Sequence, residues 1–263
     1  MRRILAITIA AATALTLAAG CDTADPVADG PATPSPSVSA AESSAPAASP
    51  SVSPSVSPTP TLPAKPKKLK SGAKGPEVLA LQNRLTELGY WNGKADGKFG
   101  GTTQQAVFAL QKAAGLGRDG TVGPKTWKAL EDGVRPEAKS TSGKVVEINL
   151  KRQLLMLVDD GRITQIFNTS TGSMEYYEQE GQTYLADTPR GKFRVSRQID
   201  GWRNAPLGLL WRPKYFNGGI AVHGAPSVPP YPASHGCARV SISAMNWMWK
   251  NDALPIKTRV WVY

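Results

Sequence analysis

The chain changes its pattern of apolar and polar positions several times. After a charged start, Arg2-Arg3, the stretch from Ile4 to Ala19 is an unbroken run of small and apolar residues. Residues 22–64 show no apolar periodicity and consist almost entirely of Ala, Ser, Pro, Thr and Val. From Gly75-Pro76 the pattern turns helical: Val78, Leu81, Leu85 and Leu88 recur at three- and four-residue steps, and Gly89 ends the segment. Two related units follow, 23 residues apart. Asp96-Gly97-Lys98-Phe99-Gly100 leads into Thr102-Thr103 and a helix, and Asp119-Gly120-Thr121-Val122-Gly123 leads into Pro124 and another. In each unit Asp-Gly makes a turn, a buried apolar residue follows, and a glycine begins the next helix, with Pro124 suited to a first helical turn. Ala106, Val107 and Leu110 on one helix, and Trp127 and Leu130 on the other, are expected to face the core.

Beyond Val145 the helical period is lost. Val145–Leu150, Leu154–Val158 and Ile163–Asn168 read as strands, with Asp159-Asp160-Gly161-Arg162 as a hairpin turn. Further strand signal lies at Lys192–Arg197, Gly219–His223 and Val260–Tyr263, and one helix is expected over Ser243–Asn251. The predicted fold class is a small all-α three-helix unit followed by a mainly β domain. Trp247, Trp249 and Trp261 are expected in the core. Tyr176, Tyr177, Tyr184, Trp202, Trp211 and Tyr215 fit a lid over a site or ordinary core equally well.

Composition separates the tether from the folded parts. A hydrophobic content of 41% with 22 prolines does not suit one compact globule, so the Pro/Ser/Ala-rich stretch must be non-globular. At about 3.1 Å per residue in stiff polyproline geometry, it reaches on the order of 140 Å. Net charge is +11, carried by the folded parts; residues 1–64 hold 2 basic and 4 acidic groups. Such a balance draws a protein to an anionic polymer or surface. A charged start before so short an apolar run reads as an export signal and not as a membrane span. Export puts nucleic acid out of reach and leaves wall polymers and anionic lipid headgroups. Lys65, Lys67, Lys68 and Lys70 close the tether as a basic cluster.

Leu17-Ala18-Ala19-Gly20-Cys21 resembles the lipobox of bacterial lipoproteins, with Leu17 one place further from the cysteine than is commonest. The resemblance implies a signal peptide over 1–20, a lipid on Cys21 and a tether over 21–74. The protein would then be anchored to the outer face of the bacterial cell membrane and reach into the wall. Cys21 and Cys237 are the two cysteines. A disulfide between them is the alternative in an oxidising compartment. Lipidation of Cys21 instead leaves Cys237 as a lone exported thiol, which is more often chemistry than decoration.

Residues 75–133 carry Leu81-Gln82, Leu85, Gly89-Tyr90, Asp96-Gly97, Phe99-Gly100, Thr103, Ala106-Val107, Leu110-Gln111, Asp119-Gly120, Val122-Gly123, Thr126-Trp127 and Leu130. This pattern resembles the three-helix peptidoglycan-binding domain of wall hydrolases and implies peptidoglycan as a partner.

Both histidines of the chain lie within 14 residues of Cys237, as His223-Gly224 and Ser234-His235-Gly236-Cys237-Ala238-Arg239. A thiol needs a base, or an imidazolium that lowers its pKa, to attack a carbonyl at neutral pH. Glycines beside it let backbone N–H groups converge on an oxyanion. Zinc on His223, His235 and Cys237 lacks an evident fourth ligand, so a metal site is disfavoured.

These motifs, with Thr169-Ser170-Thr171-Gly172 and Thr188-Pro189-Arg190-Gly191-Lys192-Phe193, resemble the L,D-transpeptidases of the YkuD type over residues 144–263. The insert between His223 and Ser234 is shorter than in much of that family, and Arg239 stands where asparagine is frequent. The resemblance implies a YkuD-like β-sandwich or barrel with Cys237 as nucleophile and His223 as base. The Gly224 carbonyl would orient the imidazole, His235, Gly236 and Cys237 would line the oxyanion hole, and Ser234 and Arg239 would fix the loop. It also implies acyl transfer on peptidoglycan stem peptides, through a thioester formed with loss of a terminal D-alanine. A wall cysteine endopeptidase is disfavoured, because there the cysteine precedes its histidine. An L,D-carboxypeptidase and a non-enzymatic wall-binding lipoprotein remain as alternatives. A monomer is expected.

Overall fold

The computed structural model describes residues 68–263. The expected leader, Cys21 and the tether up to residue 67 lie outside the described residues. The helical unit comprises α1 (Pro76–Glu87), α2 (Gly101–Ala113) and α3 (Pro124–Glu131), with Gly75, Gly100 and Gly123 at their N-caps. Phe99 and Val122, placed by the two Asp-Gly turns, are buried, as are Ala106, Val107, Leu110, Trp127 and Leu130.

A buried glutamine holds each turn. The Gln82 amide directs its N–H groups at Asp96 Oδ1, the Lys98 carbonyl and Thr103 Oγ1 over 2.9–3.1 Å, while its oxygen accepts the N–H groups of Asp96 (2.9 Å) and Gly97 (2.8 Å). Gln111 repeats the arrangement with Asp119 Oδ1 (2.7 Å), the Thr121 carbonyl (3.0 Å) and the Gly120 N–H (3.0 Å). A side-chain amide offers donor and acceptor together, which is what a tight turn leaves unpaired. These bonds, led by the turn's own backbone N–H groups, hold the Asp96 and Asp119 carboxyls below their ordinary pKa.

The β domain runs β1 (Lys144–Asn149), β2 (Leu154–Asp159), β3 (Arg162–Asn168), β4 (Tyr176–Gln179), β5 (Gln182–Leu185), β6 (Gly191–Arg194), β7 (Arg197–Gln198), β8 (Trp202–Ala205), β9 (Gly208–Asn217), β10 (Ile220–Ala225), β11 (Ala238–Ser241), α4 (Ile242–Lys250) and β12 (Arg259–Val262). One sheet has the order β3-β2-β1-β12-β6, and the other β11-β10-β9-β7 with β8 also on β9. Val146, Ile148, Leu155 and Leu157 of the first share a core with Phe216, Val222, Ala238 and Val240 of the second and with Met245 and Met248 of α4. The fold is an open two-sheet sandwich; neither sheet closes into a barrel.

Several strand expectations change. Lys192–Arg197 is two strands in different sheets, because the chain crosses between them at the buried Val195. The ten-residue β9 was hidden by Pro213. Arg212 has a left-handed φ of 49° and the register slips there, so the proline, which has no N–H to donate, falls at a bulge. Trp247, Trp249 and Trp261 are half-buried instead of core. Trp247 packs at a tilt against Trp91 and Phe167, while Lys214 and Lys192 sit over the rings of Trp249 and Trp261.

The helical unit and the sandwich share β2. Leu154, Met156 and Val158 belong to the core of the helices, and Leu155 and Leu157 to the core between the sheets. A strand alternates faces, so a continuous apolar run means both faces are covered. Ile166 of β3 joins the helical core, and its backbone exchanges hydrogen bonds with Gly89 (2.8 Å) and Trp91 (3.0 Å). Burying these four side chains is worth on the order of 10 kcal/mol. That is comparable to the whole stability of a domain, about 5–15 kcal/mol.

Two outcomes follow. In urea, far-ultraviolet circular dichroism and tryptophan fluorescence should trace one coincident transition; separate transitions would contradict the shared core. Gln82→Met, which keeps the volume but strands two turn N–H groups, should cost about 1–3 kcal/mol by the same measurement.

Candidate active site

The site is built by the parallel pair β10 and β11. His223 lies opposite Arg239 and Val222 opposite Ala238, so Cys237, just before β11, comes level with Ala221. Side chains level with each other on adjacent strands share a face, and so do alternate positions along one strand. Cys237, Ala221, His223 and Arg239 therefore occupy one face of the sheet. The Ala221 N–H points at Cys237 Sγ over 3.4 Å.

His223 is buried, and its Nδ1 lies 2.9 Å from the Gly224 carbonyl. A carbonyl only accepts, so Nδ1 carries the proton and Nε2 keeps the free lone pair. Gly224 itself is confined: an added Cβ would lie 2.8 Å from Trp211 and 3.1 Å from Met245. Burial lowers the His223 pKa to about 4, with the Gly224 carbonyl opposing and the Arg239 charge adding to the fall. Burial raises the Cys237 thiol, against the pull of the Ala221 N–H and Arg239. The resting pair at neutral pH is a thiol beside a neutral imidazole. That arrangement suits proton removal during attack, and a standing thiolate–imidazolium pair is not favoured.

The cysteine loop is held by a polar frame. Ser234, buried, donates its hydroxyl to the Cys237 carbonyl (2.6 Å) and accepts the Gly236 N–H (3.0 Å). Its backbone pairs with the Thr171 carbonyl (2.9 Å) and the Ser173 N–H (2.8 Å). Thr188 Oγ1 donates to the Gly236 carbonyl (2.6 Å) and accepts from the Gly172 N–H (2.9 Å). The Arg239 backbone pairs with Ser170, and the Thr169 hydroxyl bonds the Arg239 carbonyl (2.8 Å). The two segments that resemble the family are thus the frame of the loop, and Thr188 carries a role that sequence reasoning did not assign.

Of the three residues expected at an oxyanion hole, Gly236 has its N–H already engaged by Ser234. It is the turning point, with φ of 140° and a position where a Cβ would lie 2.7 Å from the Asp187 carbonyl. The amides of His235 and Cys237 meet no acceptor among the described residues. The His235 ring is exposed and sits edge-on to Tyr177 at 4.7 Å. Among the described residues no cluster of His, Cys, Asp and Glu is placed to hold a metal ion.

A cavity of about 840 Å³ opens over this face, lined by His223, Cys237, Arg239, Ser234 and His235 at one end. Two hairpins wall it, β4–β5 with Tyr177 and Tyr184 and β8–β9 with Arg203 and Leu207 to Leu210. Sequence reading missed both as hairpins. The first was signalled by Glu180-Gly181, whose φ values of 52° and 75° suit a tight two-residue turn. The aromatic stretch divides: Tyr177 and Tyr184 line the wall, Tyr215 is buried beneath it, Trp202 packs on Trp211 at 4.9 Å, and Tyr176 is largely exposed.

Family profiles match this arrangement. That of the L,D-transpeptidase catalytic domain (YkuD) covers residues 143–262, and that of a peptidoglycan binding domain covers residues 74–130. The crystal structure of an L,D-transpeptidase from Xylanimonas cellulosilytica is 58% identical, with a TM-score of 0.74 over 76% of this chain and 100% of that one. The chain belongs to the L,D-transpeptidase family. Among curated proteins, the N-acetylmuramoyl-L-alanine amidase CwlL of Bacillus licheniformis is 48% identical over 79 residues, 29% of this chain and 22% of the amidase. A spore cortex-lytic enzyme of Oceanobacillus iheyensis is 40% identical over 155 residues, 59% of this chain and 54% of that enzyme. The chain spans about a fifth and about half of the length of these two relatives.

With the His223 imidazole buried and neutral at mildly acidic pH, kcat/KM of this L,D-transpeptidase family member should hold there. Its acid limb should fall near pH 4, where the imidazole protonates; a limb at the ordinary histidine value would contradict the buried neutral ring. Gly236→Ala should lower turnover on the order of 100-fold, since displacing a reacting group by about 1 Å costs that much. A folded variant with unchanged turnover would show that the loop accommodates a side chain.

Proposed function

We propose that the chain is an exported acyltransferase that cross-links peptidoglycan stem peptides, with Cys237 as nucleophile and His223 as general base. The observation that carries the reading is the shared sheet face of Cys237 and His223, with Nδ1 of the imidazole committed to Gly224 and Nε2 left as acceptor. As sulfur attacks the carbonyl of the L-centre residue before a terminal D-alanine, Nε2 takes the thiol proton. The oxygen becomes an oxyanion, received by the His235 and Cys237 amides. Collapse breaks the peptide bond, and the imidazolium returns its proton to the departing D-alanine nitrogen. The Cys237 thioester is then opened by an amine of a neighbouring stem, whose proton passes to His223, and the thiol is restored. Arg239 assists by favouring the developing thiolate over the thiol.

The partner is peptidoglycan, gripped by the helical domain and presented to the cavity. Cys21 bears the lipid, and the tether carries the folded parts, as a monomer, from the outer face of the cell membrane into the wall. No metal or cofactor takes part.

Protein beginning at residue 65, incubated with tetrapeptide-stem muropeptides and followed by mass spectrometry, tests the reading. Dimers formed with loss of D-alanine should appear and vanish with Cys237→Ala. Tripeptide stems without dimers would make it an L,D-carboxypeptidase. No Cys237-dependent product would return the chain to a binding role. His223→Gln should slow product formation by about 10²–10⁴-fold, the usual worth of a general base.

A further inference from the structure

The segment joining base to nucleophile, residues 226–233, is held by the helical domain. Gln105 Nε2 of α2 donates to the Val228 carbonyl (3.2 Å), and Arg118, between α2 and α3, donates to the Pro230 carbonyl (3.0 Å). Asn168 Nδ2 of β3 donates to the same Val228 carbonyl (3.2 Å) and to Gln105 Oε1 (2.6 Å). Beneath them, Lys112 of α2 is 1% exposed and is saturated by three oxygens: the Gln153 and Thr169 carbonyls, both at 2.9 Å, and Asn168 Oδ1. Thr169 is the first residue of the strip that frames the cysteine loop. The strip also meets the joining segment itself, through Ser170 Oγ to the Tyr231 carbonyl (2.8 Å) and the Ala233 N–H to the Thr171 carbonyl (3.0 Å).

The contacts are specific. Pro226 and Ser227 line the cavity beside His223, so the gripped segment is a wall of the site as well as the link between its two reactive groups. A short link transmits a displacement at one end to the other. Two of its carbonyls take donors from the helical domain; without Arg118 the Pro230 carbonyl would turn to water, and without Gln105 the Val228 carbonyl would keep Asn168 alone. A module that only tethered the enzyme to the wall would have no need to satisfy these carbonyls.

We propose that Gln105 and Arg118 are positioning residues for acyl transfer: the docked helical domain holds the 226–233 segment and thereby sets Cys237 against His223. The proposal rests on the acyl-transfer reading for its kinetic consequence. The domain then contributes to turnover of small soluble substrates that make no use of its affinity for the wall.

The test uses the protein from residue 65 onward with Gln105→Ala and Arg118→Ala combined, both side chains being half-exposed. On a soluble disaccharide-tetrapeptide, kcat should fall at least 10-fold with KM within about twofold, while retention on purified sacculi stays unchanged. Arg118→Lys, which can still donate to the Pro230 carbonyl, should recover most of the rate that Arg118→Met loses. Lys125→Ala, on the exposed side of α3, should change nothing. Amide exchange over residues 226–239 and the alkylation rate of Cys237 are read in parallel and need no turnover. Faster exchange there with altered alkylation supports the positioning role. Unchanged exchange, alkylation and kcat in the double variant overturn it. Inactive wild-type protein would sink the acyl-transfer reading, leaving exchange and alkylation to decide the positioning role on their own.

Discussion

Strand β2 has no face left for water, and the architecture follows from that. Leu154, Met156 and Val158 need the helices; Leu155 and Leu157 need the second sheet. Because both sets are apolar, a slip of one residue would bring no polarity penalty within β2 itself. The penalty comes from its neighbour. Glu147 of β1, paired with Met156, is fully buried and accepts the Lys139 N–H (2.9 Å), the Ser140 N–H (2.6 Å) and hydroxyl (2.7 Å), and the Tyr263 hydroxyl (2.8 Å). Those donors come from the stretch between the helices and the sandwich and from the chain end. Turning Glu147 to the opposite face would bury an unpaired carboxylate among Val146 and Ile148, which costs several kcal/mol. One carboxylate therefore sets the register of an otherwise ambiguous apolar pair.

The same burial governs the chemistry. A thiol and an imidazole on one sheet face, both drawn out of water, rest uncharged, since desolvation acts against each charged form. Arg239 shifts the balance without reversing it: its charge favours a thiolate and disfavours an imidazolium. In the proposed reaction charge would develop only as acyl transfer proceeds, in a place where fixed backbone N–H groups act at low dielectric. The arrangement demands accurate placement of the loop, because two neutral groups draw each other together less strongly than an ion pair does. The density of hydrogen bonds around Ser234, Gly236 and Thr188 meets that demand.

Much of the fold was legible because local chemistry and tertiary outcome agree. The heptad-like apolar spacing of α1, the paired Asp-Gly turns and the Asp160-Gly161 hairpin each encode their conformation within a few residues. The candidate pair stood out too, since the histidines and Cys237 crowd into a single stretch of sequence. By itself the sequence determined three helices and a β domain after them, and it singled out the histidines and the cysteine of that domain as its candidate chemistry.

Other features are set by partners distant in the chain. β9 forms despite Pro213 because the bulge at Arg212 places the missing donor where no bond is due. The glutamines of the repeat read as polar positions until the turns they bridge are brought to them, 14 and 9 residues on. Gly236 was expected to donate to an oxyanion, and only the packed loop shows its N–H spent on Ser234. The resting protonation of Cys237 and His223, the walls of the cavity, and the docking of the helices through Lys112, Gln105 and Arg118 were decided by tertiary structure alone. Burial and long-range hydrogen bonds depend on which surfaces meet, and one-dimensional spacing does not record that.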